Sequence, residues 1–306
     1  MESIQHIKGR LGAVKNIGTI TKAMEVVSAT KMRKAQSLAL SSRPYAFAAL
    51  SALADLLEHA PGDLLDNSTF SKKGTEGETL LVLVASDRGL AGSFNSQVLR
   101  TAENLIKKER NKYRIVLVGK KLSSWASRTN LSIEKTFTDF GDYAEPFEIQ
   151  PLSSLIVDGY KNGKWNRVLV VSTHFKSTLN QFTVTREILP LNVELIRETV
   201  REIIPSHGRF AELRERIINT PQKLTDYIFE PDPKSVLESI LPHLINMQLF
   251  HLILEANASE HSARMVAMKN AHENASDLKD SLLLEFNKAR QSAITKEMIE
   301  ISSAII

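Results

Sequence analysis

The sequence predicts an α/β fold of an uncommon kind: a long antiparallel coiled coil, made by the two chain ends, with a Rossmann-like α/β domain inserted between them. Three observations carry this. The first 60 residues repeat apolar side chains every three or four positions, with no proline before Pro44. From Pro233 to the end there is no glycine and one internal proline, Pro242. Between them, residues 75–230 hold short valine-rich runs, as in strands covered on both faces. The expected organisation is a first helix over 1–60, an α/β domain over 61–232 and a last helix over 233–306.

The first helix rests on Ile4, Ile7, Leu11, Val14, Ile17, Ile20, Met24 and Val27. Steps of three and four average close to 3.5, the coiled-coil period. Pro61-Gly62-Asp63 supplies the stop, and the polar, turn-rich stretch over 61–77 is expected to be a mobile loop.

In the middle, 79–86, 113–119 and 167–173 read as strands. Residues 95–112 separate the first two and read as a crossover helix, giving a βαβ unit. Residues 181–191 alternate, and Pro190 suits an edge position for that strand.

The last helix carries a seam of Leu244, Met247, Leu254, Ala258, Met265, Met268, Ala275, Leu282, Phe286, Ala289 and Ala293. Pro242 should kink it or mark its start. Small residues such as Ala256, Ala263 and Ala271 allow a second helix to approach closely. Neither terminal helix reads as apolar enough to be buried all round, so each needs a partner. If the middle folds compactly, the two helices run antiparallel. The stripe over 17–27 should then face 265–286, with Ile20 opposite 270–290 and Leu11 opposite later positions.

Composition excludes several classes. Charged residues are 24% of the chain and hydrophobic ones 42%, which rules out a mostly disordered polymer. The absence of cysteine removes disulfides, Cys-ligated zinc and thiol nucleophiles. No run of about 18 apolar residues is evident, and the start MESIQHIKGR lacks a secretory core, so a soluble, intracellular chain is expected. Residues 1–45 hold eight Lys or Arg against Glu2 and Glu25. That face reads either as solvated or as a surface for an acidic partner. It carries no aromatic before Tyr45, which leans away from single-stranded nucleic acid.

The strongest loop signal is 86–95, between the first strand and its helix, with Asp87, Arg88, Gly89 and Gly92. A phosphate could rest there on a helix N-terminus. Yet the glycines make no G-x-G-x-x-G, and no G-x-x-x-x-G-K-[ST] exists in the chain. A βα turn with Asp87 and Asn95 as local hydrogen-bonding residues is the plainer reading. No G-x-S-x-G nucleophile occurs. His243, His251, His261 and His272 lack metal-ligand spacing and read as solvated or interhelical. Nothing argues for a catalytic site, and no cofactor or metal is expected.

Five segments resemble one family. IKGRLGAVKNIGTITKAMEVVSATKMRKAQ (7–36), ASDRGLAGSFN (85–95), YIFEPDPKSVLESILP (227–242), ASEHSARMVAMKNAHENASDL (258–278) and NKARQSAITKEMIEISSAII (287–306) are similar to motifs of the gamma subunit of bacterial F-type ATP synthase. The resemblance implies a central rotor shaft inside a hexamer of alpha and beta subunits. The base of that shaft sits, with the epsilon subunit, on the ring of c subunits. Proton flow would turn ring and shaft, and the asymmetric shaft would cycle the catalytic sites. The chain itself would then be non-catalytic, without direct nucleotide binding or nucleic-acid contact.

By the same resemblance, Arg290 and Gln291 meet an acidic loop of beta, and Lys22, Met24, Arg33 and Arg264 lie near that contact. Thr295 and the residues beyond it enter the apolar bearing of the hexamer. Tyr227, Phe229 and Glu230 face the c ring and epsilon. The implied location is peripheral, on the cytoplasmic face of the bacterial plasma membrane. The chain departs from the family at its tip, Ser302-Ser303-Ala304-Ile305-Ile306, and in added length around 207–222 and 67–77. It also lacks the cysteine-bearing insertion of chloroplast members. Two other classes are set against this reading: a nucleotide-dependent α/β enzyme, and a basic coiled-coil protein that binds nucleic acid.

Overall fold

The computed structural model describes residues 3–59, 68–70, 77–108, 112–129, 131–191 and 230–303. Tyr227, Phe229, the 207–222 stretch, most of 61–77 and the last three residues lie outside the described residues.

A sheet of order β3-β2-β1-β4-β5 forms the centre of the α/β part. Its strands are β1 (Glu78–Val84), β2 (Tyr113–Val118), β3 (Ser132–Phe137), β4 (Trp165–Phe175) and β5 (Gln181–Leu189). The first four are parallel, and β5 returns antiparallel along β4. The three valine-rich runs are β1, β2 and β4, the inner strands, where Leu81, Val82, Ile115, Val116 and Val170 have no exposed surface. Burial on both faces is why these runs are continuous rather than alternating. The fourth predicted strand is β5, an edge strand that ends just before Pro190, where the missing N–H breaks no ladder bond.

Helix α2 (Phe94–Lys108) is the predicted crossover, and Leu81, Leu117, Val98 and Ala102 share one cluster in the core. The short helix α3 (Ser123–Ala126) follows β2. Sequence reading left out β3 and α4 (Pro146–Lys161). β3 is an edge strand, SIEKTF, mostly exposed, so it lacks the apolar run that marks its neighbours. α4 contains Pro151 and Gly159, which break a helical pattern, but its start is signposted. The Glu145 backbone N–H donates to Glu148 Oε2 at 2.7 Å in a capping box, with Pro146 in the first turn.

The terminal helices are α1 (Ile4–His59) and α5 (Pro233–Ser303). α5 begins at a cap: Asp232 Oδ1 accepts from the Ser235 N–H at 3.0 Å, and Pro233 follows the cap directly. These Ser235 hydrogen bonds also hold the Asp232 carboxyl below its usual range. Pro242 lies inside α5 and does not mark its start. Contacts gather the chain into two units. One comprises Met1–Thr30, Leu90–Gly92 and His261–Ile306; the other comprises Lys31–Gly89 and Ser93–Glu260.

In the sheet-containing unit, α5 corrects the expectation of a one-sided helix. Residues 249–256 are buried without a break, so this part of α5 is a core helix. An 18-residue window of α5 reaches a mean hydropathy of 1.2, and more than half of it is buried inside the fold. Asn257 Nδ2 donates to the Gly141 carbonyl at 3.3 Å, and the same loop meets α1 through the Lys31–Asp142 ion pair.

In the helix-pair unit, α1 packs through Ile4, Ile7, Leu11, Val14, Gly18, Thr21, Glu25 and Ser28. The predicted stripe is therefore right up to Val14 and at Met24, which is half-buried, and wrong at Ile17, Ile20 and Val27, which are all more than half exposed. Strict alternation of three- and four-residue steps carries the seam through small and polar residues instead. Thr21 remains satisfied because its hydroxyl donates to the Ile17 carbonyl at 2.9 Å. Gly18 lets α5 come close, and His272 Nδ1 donates to the Gly18 carbonyl at 2.8 Å. On α5 the predicted seam holds, with Met268, Ala275 and Leu282 buried.

This register is open to a direct test. A Cβ placed on Gly18 would lie 3.7 Å from Ala275 Cβ, close to the ~3.8 Å mean of disulfides. Oxidation of a Gly18→Cys/Ala275→Cys chain is expected to give nearly complete intrachain crosslinking on non-reducing gels. Ile20→Cys with Ala275→Cys should remain largely free, because Ile20 points outward. Equal crosslinking of the two pairs would disprove the register.

Candidate functional site

The ends of the parallel strands are where an α/β fold would hold a ligand, and here the polar groups are tied to one another. Asp87, just after β1, accepts the Lys120 N–H on Oδ1 and the Asp139 N–H on Oδ2, both at 3.0 Å. It thereby joins the loops after β1, β2 and β3. Lys120 Nζ adds a bond to Asp139 Oδ1 at 2.8 Å. That bond holds the Asp139 carboxyl below and the Lys120 ammonium above their usual values. Asn95 Oδ1 accepts the Ser86 N–H at 3.0 Å, and the Ser86 hydroxyl donates to the Arg88 carbonyl at 2.6 Å.

The loop is thus a laced βα turn, the plainer of the two readings, with Arg88 exposed and Gly89 half-buried beside the Lys121 side chain. At the end of β4, Ser259 of α5 points its hydroxyl toward the Thr173 carbonyl at 3.4 Å, so α5 lies where the strand-end crevice opens. In the helix-pair unit, Gly92 has φ +55 and sits against α5, 3.8 Å from the Ala263 carbonyl and from Ala267 Cβ. A positive φ and close backbone approach explain this glycine without a ligand.

The second candidate is the outer face of the helix pair. Ile17, Ile20, Val26 and Val27 on α1 are exposed, as are Leu284, Ile294, Met298, Ile299 and Ile301 on α5. A groove of about 700 Å³ between the helices is lined by Val14, Gly18, Ala23 and Ala275, with Lys15 and Lys22 alongside. Apolar surface on this scale, edged by charge, marks an interaction surface.

The residues singled out by resemblance are placed as follows. Arg290, Gln291 and Thr295 are exposed near the end of α5, and the Thr295 hydroxyl donates to the Gln291 carbonyl at 2.9 Å. Lys22 is exposed and pairs with Glu25 at 3.0 Å, while Met24 is half-buried. Arg33 is exposed in the sheet-containing unit, and Glu230 is exposed just before α5. Arg264 differs: it is buried, with Nη1 3.1 Å from His261 Nδ1.

One constellation escaped the sequence reading. Of the histidines read as solvated or interhelical, His272 is interhelical, while His251 and His261 are buried and not solvated. His251 Nε2 stands 3.3 Å from Glu255 Oε1, His174 Nδ1 stands 2.9 Å from Oε2, and Arg186 Nη1 is 3.8 Å from Oε2. Burial pushes the Glu255 carboxyl up, but hydrogen bonds from the two histidines outweigh it and hold the group well below its usual range. The available signal was local: His251 and Glu255 are four apart on one helix, inside an otherwise apolar stretch. Among the described residues no cluster has metal-ligand geometry.

Comparison with known proteins gives a consistent answer. A family model described as ATP synthase matches residues 3–305. The chain is 37% identical over 306 residues to the ATP synthase gamma chain of Roseiflexus castenholzii, spanning 99% of this chain and 97% of that one. It is equally identical to the gamma chain of Chloroflexus aurantiacus, with 99% and 98% covered. Two solved structures share the fold. One is the Euglena gracilis mitochondrial ATP synthase (OSCP/F1/c-ring, rotational state 3), at a TM-score of 0.63 and 17% identity, covering 99% of this chain and 93% of that one. The other is the central stalk and c-ring of the Tetrahymena thermophila mitochondrial ATP synthase, at 0.58 and 23%, covering 82% and 99%.

Proposed function

The chain belongs to the ATP synthase gamma-chain family, and from that premise we propose that its helix pair is the turning shaft of the central stalk. It is a non-catalytic rotor subunit; catalysis belongs to the beta subunits. Rotation of the membrane c ring, driven by proton flow, turns the shaft and cycles the alpha and beta subunits through ATP synthesis or hydrolysis. The epsilon subunit and the c ring are its partners at the base. The chain is a peripheral part of a membrane-associated complex, on the cytoplasmic face of the bacterial plasma membrane.

The observation that carries this reading is the outward apolar face of the helix pair. A free-standing coiled coil turns its large apolar residues inward. This one leaves Ile17, Ile20, Val27, Ile294 and Met298 exposed, as suits a shaft that turns inside an apolar sleeve. Arg290, Gln291 and Thr295 belong to the beta contact, with Lys22, Met24 and Arg33 nearby. Arg264 supports that contact from within the helix pair. Residues 1–60 and 233–306 act as the shaft and 61–232 as the base, with Tyr227, Phe229 and Glu230 facing the c ring and epsilon. Asp87, Arg88, Gly89 and Gly92 shape the base and bind no nucleotide.

The test is reconstitution: the purified chain should hydrolyse no ATP alone. Combined with the other subunits in sealed vesicles, it should be required for ATP-driven proton uptake. Uptake independent of the chain would reject the reading. Within that assay, Arg290→Glu sets a negative charge against an acidic partner loop, a repulsion that costs several kcal/mol at an interface. Assembly should survive while the number of protons moved per ATP falls. An unchanged ratio would take Arg290 out of the coupling contact.

A further inference from the structure

We propose that Glu255 is a positioning residue for torque: hydrogen-bonded by His174 of β4, with the Arg186 charge of β5 alongside, it locks α5 against rotation on the sheet. The proposal rests on the rotor reading above and adds to it the point where the base holds the shaft. From Leu249 to Ala256 the helix is buried on every side, mostly by Leu249, Phe250, Leu252, Ile253 and Leu254. Apolar burial is non-directional. It resists pulling the helix out of its socket but does little to resist turning it there. Hydrogen bonds weaken steeply when misaligned, so they supply the angular restoring force.

Glu255 is placed to supply that force. It is only 5% exposed. Its Oε2 lies 2.9 Å from His174 Nδ1, a hydrogen bond from β4, while Arg186 Nη1 of β5 stands 3.8 Å away, an ion pair without a directional bond. The Phe182 ring packs on the His174 imidazole, 5.2 Å between centroids, and Arg186 Nη2 lies 3.4 Å from the same Nδ1, which cannot accept a hydrogen bond while it donates to Glu255. One turn further along α5, Ser259 meets the Thr173 carbonyl on the same strand. A leucine would fill comparable space without desolvating a charge, and such replacements are often neutral or stabilising. What the carboxylate adds beyond filling that space is orientation, although removing its charge alone is costly because it leaves His174, His251 and Arg186 without their partner. His251 provides the internal control: it bonds the same carboxylate at 3.3 Å but lies on α5 itself. It cannot fasten the helix to the sheet.

The experiment uses the whole complex in sealed vesicles, pumping protons with ATP until the gradient stalls it. Glu255→Gln and His174→Asn are expected to hydrolyse ATP near the wild-type rate without load. Their stall gradient should fall by about twofold or more, because a shaft that slips loses torque only when loaded. His251→Asn should retain the wild-type stall gradient even if it lowers the melting temperature. If Glu255→Gln fails to assemble, His174→Asn against His251→Asn decides the matter. Equal stall gradients in wild type and His174→Asn, or equal losses in the two histidine variants, would overturn the clamp. A wild-type chain that supports no proton uptake would instead overturn the rotor reading itself, so the two failures are distinguishable.

Discussion

Gly119→Ala is expected to abolish stable folding of the sheet-containing unit. Gly119 follows β2 with φ +102, a conformation that side chains rarely adopt. A Cβ there would lie 2.3 Å from the Ala85 carbonyl oxygen and 2.9 Å from that of Ser86. Both oxygens belong to backbone leaving β1, which cannot rotate away as a side chain would. The Gly119 N–H also donates to the Phe137 carbonyl at 2.9 Å, so the turn is held from both neighbouring strands. Relief requires β1 and β2 to part at the centre of the sheet. The loss should be about 4 kcal/mol or more, combining strain with broken core packing. Urea denaturation of the purified chain measures it. Gly163→Ala is the matched control, since it has φ +68 but nothing within 4 Å; it should lose only about 1 kcal/mol. Similar losses in the two would mean that the close approach to Ala85 is not what requires glycine.

The second large effect is expected at Glu255, now as stability of the isolated chain. Glu255→Gln removes the charge that His174, His251 and Arg186 surround, at a loss of about 3 kcal/mol near neutral pH. The pH dependence follows from the direction of the shift. The folded carboxyl lies below the ordinary 4.5, so the unfolded chain takes up the proton first on acidification. The stabilisation is full above about pH 4.5 and shrinks as pH falls toward the folded value. Wild type and Glu255→Gln should therefore converge in acid. Glu134 is also held low, chiefly by the Lys164 hydrogen bond, but it is present in both chains and cancels in the comparison. A stability gap as wide at pH 3 as at pH 7 would show that the ionised carboxylate contributes nothing.

Much of the architecture was legible in the sequence because it depends on period and composition. The valine-rich runs of β1, β2 and β4 announced strands buried on both faces. The absence of glycine after Pro233 announced a helix that runs, in the structure, to Ser303. Alternating three- and four-residue steps announced a helix pair, and the family motifs supplied the function. The Asp87 loop was legible too, because its glycines fit no phosphate-binding pattern.

What tertiary structure alone decided was which face goes inward, and which polar groups meet. Hydrophobicity pointed the α1 seam through Ile17, Ile20 and Val27. The observed seam runs through Gly18, Thr21 and Ser28, because close approach of two helices is set by residue size and geometry rather than by apolarity. A chain that leaves isoleucine outside carries an apolar pattern for a partner as well as for itself, and periodicity cannot separate the two. Likewise, β3 is an exposed edge strand with no apolar run to betray it. The Glu255 clamp joins β4, β5 and α5, with His174 separated from Glu255 by 81 positions. Long-range polar pairing leaves no periodic trace along a chain. It exists only once the sheet has brought those side chains to one point.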